Sequence, residues 1–174
     1  MDTRTYKIRK AFMIPLTLSL FFGYLLLALC VFQKEPSSKL IVLSILNIFL
    51  TVFFIENLFR SLVINENSIT HNKFLRRKTL LFSEINSFES LSLRKRMFST
   101  LSTEESFLIF SNVYQNFEDL MRQILARLPE NSVSQETKEL ATSPPVKRGD
   151  IISFWIAALV LGGILLQQAS IYIK

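Results

Sequence analysis

"LIVLSILNIFLTVFFIENLFRSLVINENSITHNKF", residues 40–74, changes character once, at Arg60. Leu40 to Phe59 is apolar on every side and meets a single charge, Glu56, near its end. A soluble core helix of that length would carry a polar stripe, and this run has none. A helix of about 20 residues crosses the roughly 30 Å hydrocarbon layer of a bilayer, so the first half predicts a transmembrane helix. After Arg60 the pattern shortens. "SLVIN" and "SITHNKF" read as strands separated at Glu66-Asn67, where asparagine tolerates the left-handed conformation of a tight turn. Membrane part and sheet part thus meet at one residue.

Two further runs match the first. "AFMIPLTLSLFFGYLLLALCVF", Ala11 to Phe32, has no charged residue, and "IISFWIAALVLGGILLQQASIYI" covers Ile151 to Ile173. The overall hydrophobic share, 49% of 174 residues, is ordinary, so its concentration into three runs carries the information. A cleaved signal sequence is the rival reading of the first run. Its apolar stretch is longer than a signal core, no small-x-small site follows, and Leu29 in "LALC" stands where a small residue is needed. Three transmembrane helices are expected, the first two forming a hairpin.

Positive charge sets the orientation. Arg4, Lys7, Arg9 and Lys10 precede the first helix, the loop to the second holds only Lys34 and Lys39, and Arg60 to Asp150 holds thirteen Lys and Arg. The N-terminus and central segment are expected in the cytoplasm and the C-terminus outside. Cys30 is the only cysteine, which excludes an intrachain disulfide and a cysteine metal cluster.

Beyond the first two strands, "TLLF", "SEINSFESLSL", "MFSTLST" and "SFLIFS" continue the sheet, with a helical turn or bulge near Ser83-Glu84. "SFLIFS", apolar on both faces, is expected at the centre of its sheet. In "NFEDLMRQILARL", Phe117, Leu120, Met121, Ile124, Leu125 and Leu128 share one helical face, with Asn116 placed to cap the first turn. The segment reads as antiparallel strands closed by a C-terminal helix. "PENSVSQETKELATSPPVKRGD", Pro129 to Asp150, is polar with no sustained apolar face and reads as a flexible linker.

Three passages in order, "LVINENSI", "RRKTLLFSEINSFE" and "FSNVYQNFEDLMRQILARL", resemble the pleckstrin-homology-like (PH-like) domains of bacterial membrane proteins. The resemblance covers Ser61 to Leu128. It departs from the family in having no glycine between Arg60 and Arg148, and in placing a helix after the domain. It implies a partly open seven-stranded barrel or sandwich plugged by a helix, a bacterial inner membrane as the location, and no activity. The expected organisation is an N-terminus at 1–10, a transmembrane hairpin at 11–59, a cytoplasmic α+β PH-like domain at 60–128, a linker at 129–150 and a third transmembrane helix at 151–173.

Nothing in this pattern points to an enzyme or a cofactor. A glycine-free central segment excludes glycine-rich phosphate cradles. His71 reads as an ordinary strand residue without candidate partners, and the spacing of Glu84 and Glu89 specifies no carboxylate pair. The candidate lipid-headgroup or partner-binding residues are two basic clusters, Lys73, Arg76, Arg77, Lys78 and Arg94, Lys95, Arg96. Over Lys73 to Arg96 the net charge is +5, whereas Met97 to Asp150 carries −3. Such a face attracts anionic lipid, and it equally satisfies the positive-inside rule. The resemblance adds that eukaryotic relatives of the fold often place headgroup-binding basic residues in an early strand loop, a place similar to that of "LRRK". Nucleic acid is not an expected partner, because the net charge is small and no aromatic-basic stacking motif occurs.

Within the apolar runs, Asn47, Gln167 and Gln168 are candidates for hydrogen bonds between helices, and Ala158 and Gly162 make a small-xxx-small step for close packing. Glu56 is expected to pair with Arg60 one turn on. Trp155 and Tyr172 suit the two ends of the third helix as interfacial anchors. The expected function is a non-enzymatic integral membrane protein presenting an interaction or scaffold domain. It would dock a protein partner or a second copy through the third helix. Anionic-lipid sensing is the alternative, and a small transporter or channel subunit is the third.

Overall fold

The structure is a computed structural model and describes residues 3–93, 96–142, 144–145 and 149–173, leaving aside the side chains of 171–173. It combines helices with two antiparallel sheets, and the chain divides into two compact units. Met1–Arg9 and Phe59–Lys147 form the sheet unit; Lys10–Leu58 and Arg148–Lys174 form the helical unit.

Three helices make up the helical unit: α1 (Lys10–Phe32), α2 (Ser37–Phe59) and α5 (Gly149–Ile173). All three are long and apolar enough to cross a bilayer. Their limits lie within three residues of the apolar runs. Most of their large side chains face outward, as expected of helices whose surface is itself the apolar part. Inside the unit, Leu26, Cys30 and Leu165 form a buried cluster against Phe22, Leu29 and Leu43.

The sheet unit begins before the helices. Strand β1 (Arg4–Lys7) pairs antiparallel with β2 (Ser61–Ile64), Lys7 opposite Ser61, so α1 and α2 are inserted where a simple hairpin would have its turn. Residues 1–10, expected as a separate N-terminal segment, thus contribute a strand. Tyr6 and Ile8 are buried, and the Tyr6 hydroxyl donates to Asp119 at 2.6 Å. β3 (Ser68–Asn72) and β4 (Arg77–Leu81) complete a sheet ordered β1-β2-β3-β4. The turn between β2 and β3 is closed by the Asn65 N–H to the Ser68 carbonyl at 2.9 Å. It needs no left-handed residue; among the described residues only Lys34 and Asn116 have positive φ.

A 3-10 turn at Phe82–Glu84, where the sequence suggested one, leads to β5 (Ser87–Leu93), β6 (Arg96–Ser102) and β7 (Phe107–Ser111). These form the second sheet in that order. β7 is therefore an edge strand, not a central one. Leu108 and Phe110 point into the core, while Phe107 and Ile109 point out into solvent.

Helix α3 (Phe117–Leu125) follows, and the expected face is the buried one: Phe117, Leu120, Met121 and Ile124 are inside. Leu128, just beyond, is buried as well, and Leu125 is half-buried. Fully burying each such side chain contributes about 1.5–3 kcal/mol. Asn116 precedes the helix in the left-handed region, φ 53°, and makes no side-chain cap. Its backbone carbonyl accepts the Leu120 N–H instead.

Pro129 to Asp150 is not simply a linker. A 3-10 turn forms at Glu130–Ser132, and helix α4 (Gln135–Thr142) packs on β5. The Phe88 carbonyl accepts the Ser134 N–H at 3.1 Å and the Thr137 hydroxyl at 3.4 Å, and Thr137 is fully buried. Small polar residues do this work by hydrogen bonding, so no apolar periodicity announced it.

Candidate functional site

Lys73, Arg76, Arg77 and Lys78 all belong to the β3–β4 hairpin. The Lys73 N–H donates to the Arg76 carbonyl at 2.8 Å, leaving Phe74 and Leu75 at the tip. Residues 73 to 79 are all exposed, and none of the four cations forms an ion pair among the described residues. The Lys78 ammonium lies 5.0 Å above the Phe107 ring. Phe74, expected inside a strand, is instead at the turn, and its ring stands 5.4 Å from that of Phe59, the last residue of α2.

Arg94 and Lys95 lie outside the described residues. Arg96 opens β6, and its guanidinium sits 5.0 Å from the Phe98 ring. The described cations therefore belong to different sheets, Lys73 to Lys78 to the β3–β4 hairpin and Arg96 to β6. A feature that sequence reading missed is the outer face of β5, β6 and β7. Leu91 stands opposite Phe98, and Thr100 opposite Ile109, with Phe107 beside them. Phe107 and Ile109 are 58% and 47% exposed. A groove of about 590 Å³ opens on this face, with Glu89 and Glu136 among its lining residues. Alternation was the available signal: in Phe107–Ser111, inward Leu108 and Phe110 leave the apolar Phe107 and Ile109 outward.

His71 is not an ordinary strand residue. It is 5% exposed, and its Nε2 lies 2.9 Å from the Tyr114 hydroxyl. That hydroxyl accepts from Arg60 Nε at 3.2 Å, and the Tyr114 carbonyl accepts from Arg9 Nε at 3.2 Å. With Arg60 as donor, the hydroxyl is free to give its own proton to a neutral imidazole. Burial, reinforced by the charges of Arg60 and Lys73, pushes the His71 pKa down to about 4. Tyr114 thus binds the residue before α1 and the residue after α2. The expected Glu56–Arg60 pair does not form; Arg60 is turned to Tyr114, and no ion pair among the described residues includes Glu56.

In the helical unit, Asn47 is buried and its amide donates to the Gly23 carbonyl at 3.2 Å and the Leu43 carbonyl at 2.9 Å. A Cβ at Gly23 would clash with the Asn47 side-chain oxygen, so the absence of a side chain at 23 is what admits the amide. Ala158 is buried, and Phe22 of α1 covers Gly162 within contact distance of where its Cβ would be. The small-residue step is thus used for packing inside the chain. Gln167 and Gln168 make no side-chain hydrogen bond among the described residues. Trp155 is 41% exposed, and the side chain of Tyr172 lies outside the described residues.

The Asn47–Gly23 contact is open to a double-mutant cycle. Gly23→Ala should lower the thermal stability of the detergent-solubilised chain by about 1–2 kcal/mol, the scale of a buried hydrogen bond between such helices. In an Asn47→Ala background the same change should cost almost nothing, because the obstructing oxygen is gone. Equal costs in both backgrounds would show that the contact does not couple the helices.

Among the described residues, no three of His, Cys, Asp and Glu are grouped to hold a metal ion. Comparison with family models, curated proteins and solved structures returned no match.

Proposed function

We propose that the chain is a non-catalytic integral membrane protein. In this reading α1, α2 and α5 cross the plasma membrane, and the sheet unit is a PH-like interaction module on the cytoplasmic side. Support for the spans comes from their length and composition, and support for the orientation from the excess of Lys and Arg between α2 and α5. A four-stranded and a three-stranded meander closed by α3 support the PH-like assignment.

The observation that carries an interaction role is the outer face of β5–β7. A solvent-facing antiparallel sheet normally alternates apolar inward with polar outward. Here Leu91 on β5 and Phe107 and Ile109 on β7 break that alternation, with Phe98 of β6 opposite Leu91. Contiguous exposed apolar surface rimmed by polar groups is how protein-binding faces present themselves. The occupant is a protein partner, which the module would recruit to the membrane.

Ile109→Glu tests this on the exposed apolar strand of the face. Co-purification of the full chain from mild detergent should recover a reproducible partner with wild type and at least about tenfold less with the variant, as for loss of a main binding contact. A wild-type chain that is strictly monomeric and partner-free, or a partner recovered equally with Ile109→Glu, would overturn the proposal.

A further inference from the structure

The outer face of β5–β7 ends at a strand whose backbone is also unused. At the two ends of the β6–β7 pairing, the Thr103 N–H donates to the Ser106 carbonyl and the Asn112 N–H to the Met97 carbonyl. Hydrogen-bonded and non-hydrogen-bonded pairs alternate along an antiparallel ladder. With Thr100 opposite Ile109 and Ser102 opposite Phe107, it is Leu108 and Phe110 that bond to β6. Phe107 and Ile109 turn their N–H and C=O groups away from it. Among the described residues no strand other than β6 pairs with β7, and nothing hydrogen-bonds to those outward groups. Cover begins only past the strand, where the Asn112 amide donates to the Pro145 carbonyl.

Every other edge of the two sheets is protected. β1 carries Arg4 and Lys7, and beside it the Lys7 carbonyl accepts from Gln115 while the Arg9 N–H donates to Val113. β4 carries Arg77 and Lys78. On β5 the Phe88 carbonyl is taken by Ser134 and Thr137, and α4 packs alongside. Charge, proline, a bulge or a covering element is how folded proteins keep an edge from pairing with another chain. β7, "FLIFS", has none of these among the described residues. Its outward apolar side chains belong to the same two residues whose backbone faces out. A strand added there, about 4.8 Å away, would take main-chain bonds and set alternate side chains against Phe107 and Ile109.

Charge selects the occupant. Glu104 and Glu105, both exposed, lie in the turn that opens β7, and Glu89 and Glu136 line the groove on the same face. None of these carboxylates is in an ion pair among the described residues. Lys78, the cation near this edge, already lies over the Phe107 ring. A second copy would set one uncharged strand against another, with nothing in either to meet the glutamates. A segment flanked by Lys or Arg meets them.

We propose that β7 is a strand-addition site: an extended segment of a partner protein, apolar at alternate positions and flanked by basic residues, joins the sheet along Phe107 to Phe110 as a further strand. The site rests on the reading of β5–β7 as a partner surface and goes beyond it, because an edge recognises backbone where a face recognises side chains.

The probe is a short peptide of valine alternating with threonine, with lysines at both ends and a fluorophore on one of them. It is titrated by fluorescence anisotropy against the full chain in phosphatidylcholine nanodiscs, and amide hydrogen exchange over residues 107–111 is followed by mass spectrometry. Binding should saturate and slow that exchange. N-methylation of the valines, whose amides would face β7, should weaken binding at least about tenfold, and so should glutamates in place of the lysines. Ile109→Pro removes one outward N–H and none of the bonds to β6, a place where an edge strand tolerates proline. With a near-ultraviolet circular dichroism spectrum like wild type, it should bind at least about fivefold more weakly. The N-methylated peptide asks the same question of the unaltered chain.

Equal binding of the N-methylated peptide would overturn strand addition and leave the outer face standing as a partner surface. A peptide that neither binds nor slows exchange at 107–111 would overturn the site, and co-purification with Ile109→Glu would still decide the face separately. Equal binding of the glutamate peptide would overturn the basic partner. Exchange at 107–111 that is already slow in a dimer of the chain alone would give the edge to a second copy and overturn the partner segment.

Discussion

Tyr114→Ala should unfold the sheet unit more readily than any other single truncation in it. The side chain is fully buried, and deleting a buried aromatic ring costs about 3–5 kcal/mol. Against a typical total of about 5–15 kcal/mol, that is a large fraction. Two further losses follow from geometry. His71 loses its hydroxyl partner at 2.9 Å, and the Arg60 guanidinium loses its acceptor in a half-buried position. Tyr114→Phe isolates this second part, because it keeps the ring and removes only the hydroxyl. It should cost about 1–3 kcal/mol, the penalty for leaving buried polar groups unpaired. Thermal unfolding of the full chain in detergent, followed by near-ultraviolet circular dichroism, separates the two variants. For a domain of this size each kcal/mol moves the midpoint by about 4–8 °C. A Tyr114→Phe midpoint equal to wild type would show that the hydroxyl carries no net stability and that Tyr114 acts through its ring alone.

Tyr114 also shows what the sequence could convey. Everything governed by local pattern was legible. The apolar runs gave α1, α2 and α5 to within three residues, and the 3.6-residue spacing of Phe117, Leu120, Met121 and Ile124 gave the buried face of α3. What depends on a distant partner was not. "RTYK" reads as part of the basic N-terminal segment before the first helix, and it becomes β1 only because Ser61–Ile64 lies beside it after the chain has passed through two helices. The residues of α4 show no apolar stripe, and their order comes from the Phe88 carbonyl more than forty residues away. The candidate site divides the same way. Its cations were visible as runs, since charge is a property of composition. The exposure of Phe74 and Leu75 was hidden, because apolar residues next to a strand look like a continuation of its core until β3 is seen to end at Asn72. The β7 face was misread for the reverse reason: a strand apolar on both sides suggests two covered faces, and here one is left open.

The network around Tyr114 makes a pH-dependent prediction of comparable size. His71 is buried between β2 and β4, with Lys78 opposite it in register and Arg60 and Lys73 supplying positive charge. Its folded pKa is pushed down to about 4, first by burial and then by those two cations, against 6.5 in an unfolded chain. Above pH 6.5 the imidazole is neutral in both states, and its contribution is intact. Between pH 6.5 and 4 the unfolded chain binds a proton that the folded chain refuses, so stability falls as pH falls. At about 1.4 kcal/mol per pKa step, the loss approaches about 3 kcal/mol near pH 4. Hydrogen bonding explains why the folded state resists. A protonated Nε2 must donate to the Tyr114 oxygen, which already accepts from Arg60, and the hydroxyl proton must turn away from the imidazole. Asp119, whose carboxyl is held below its usual range chiefly by the Tyr6 hydroxyl, loses its own contribution only at still lower pH. The window from pH 7.5 to 4.5 therefore reports His71. Across it, urea unfolding of the sheet unit in detergent should show a steady drop for wild type and a nearly flat line for His71→Gln, which keeps a hydrogen-bonding group but cannot take up the proton. Parallel slopes in the two proteins would assign the pH dependence to some other group.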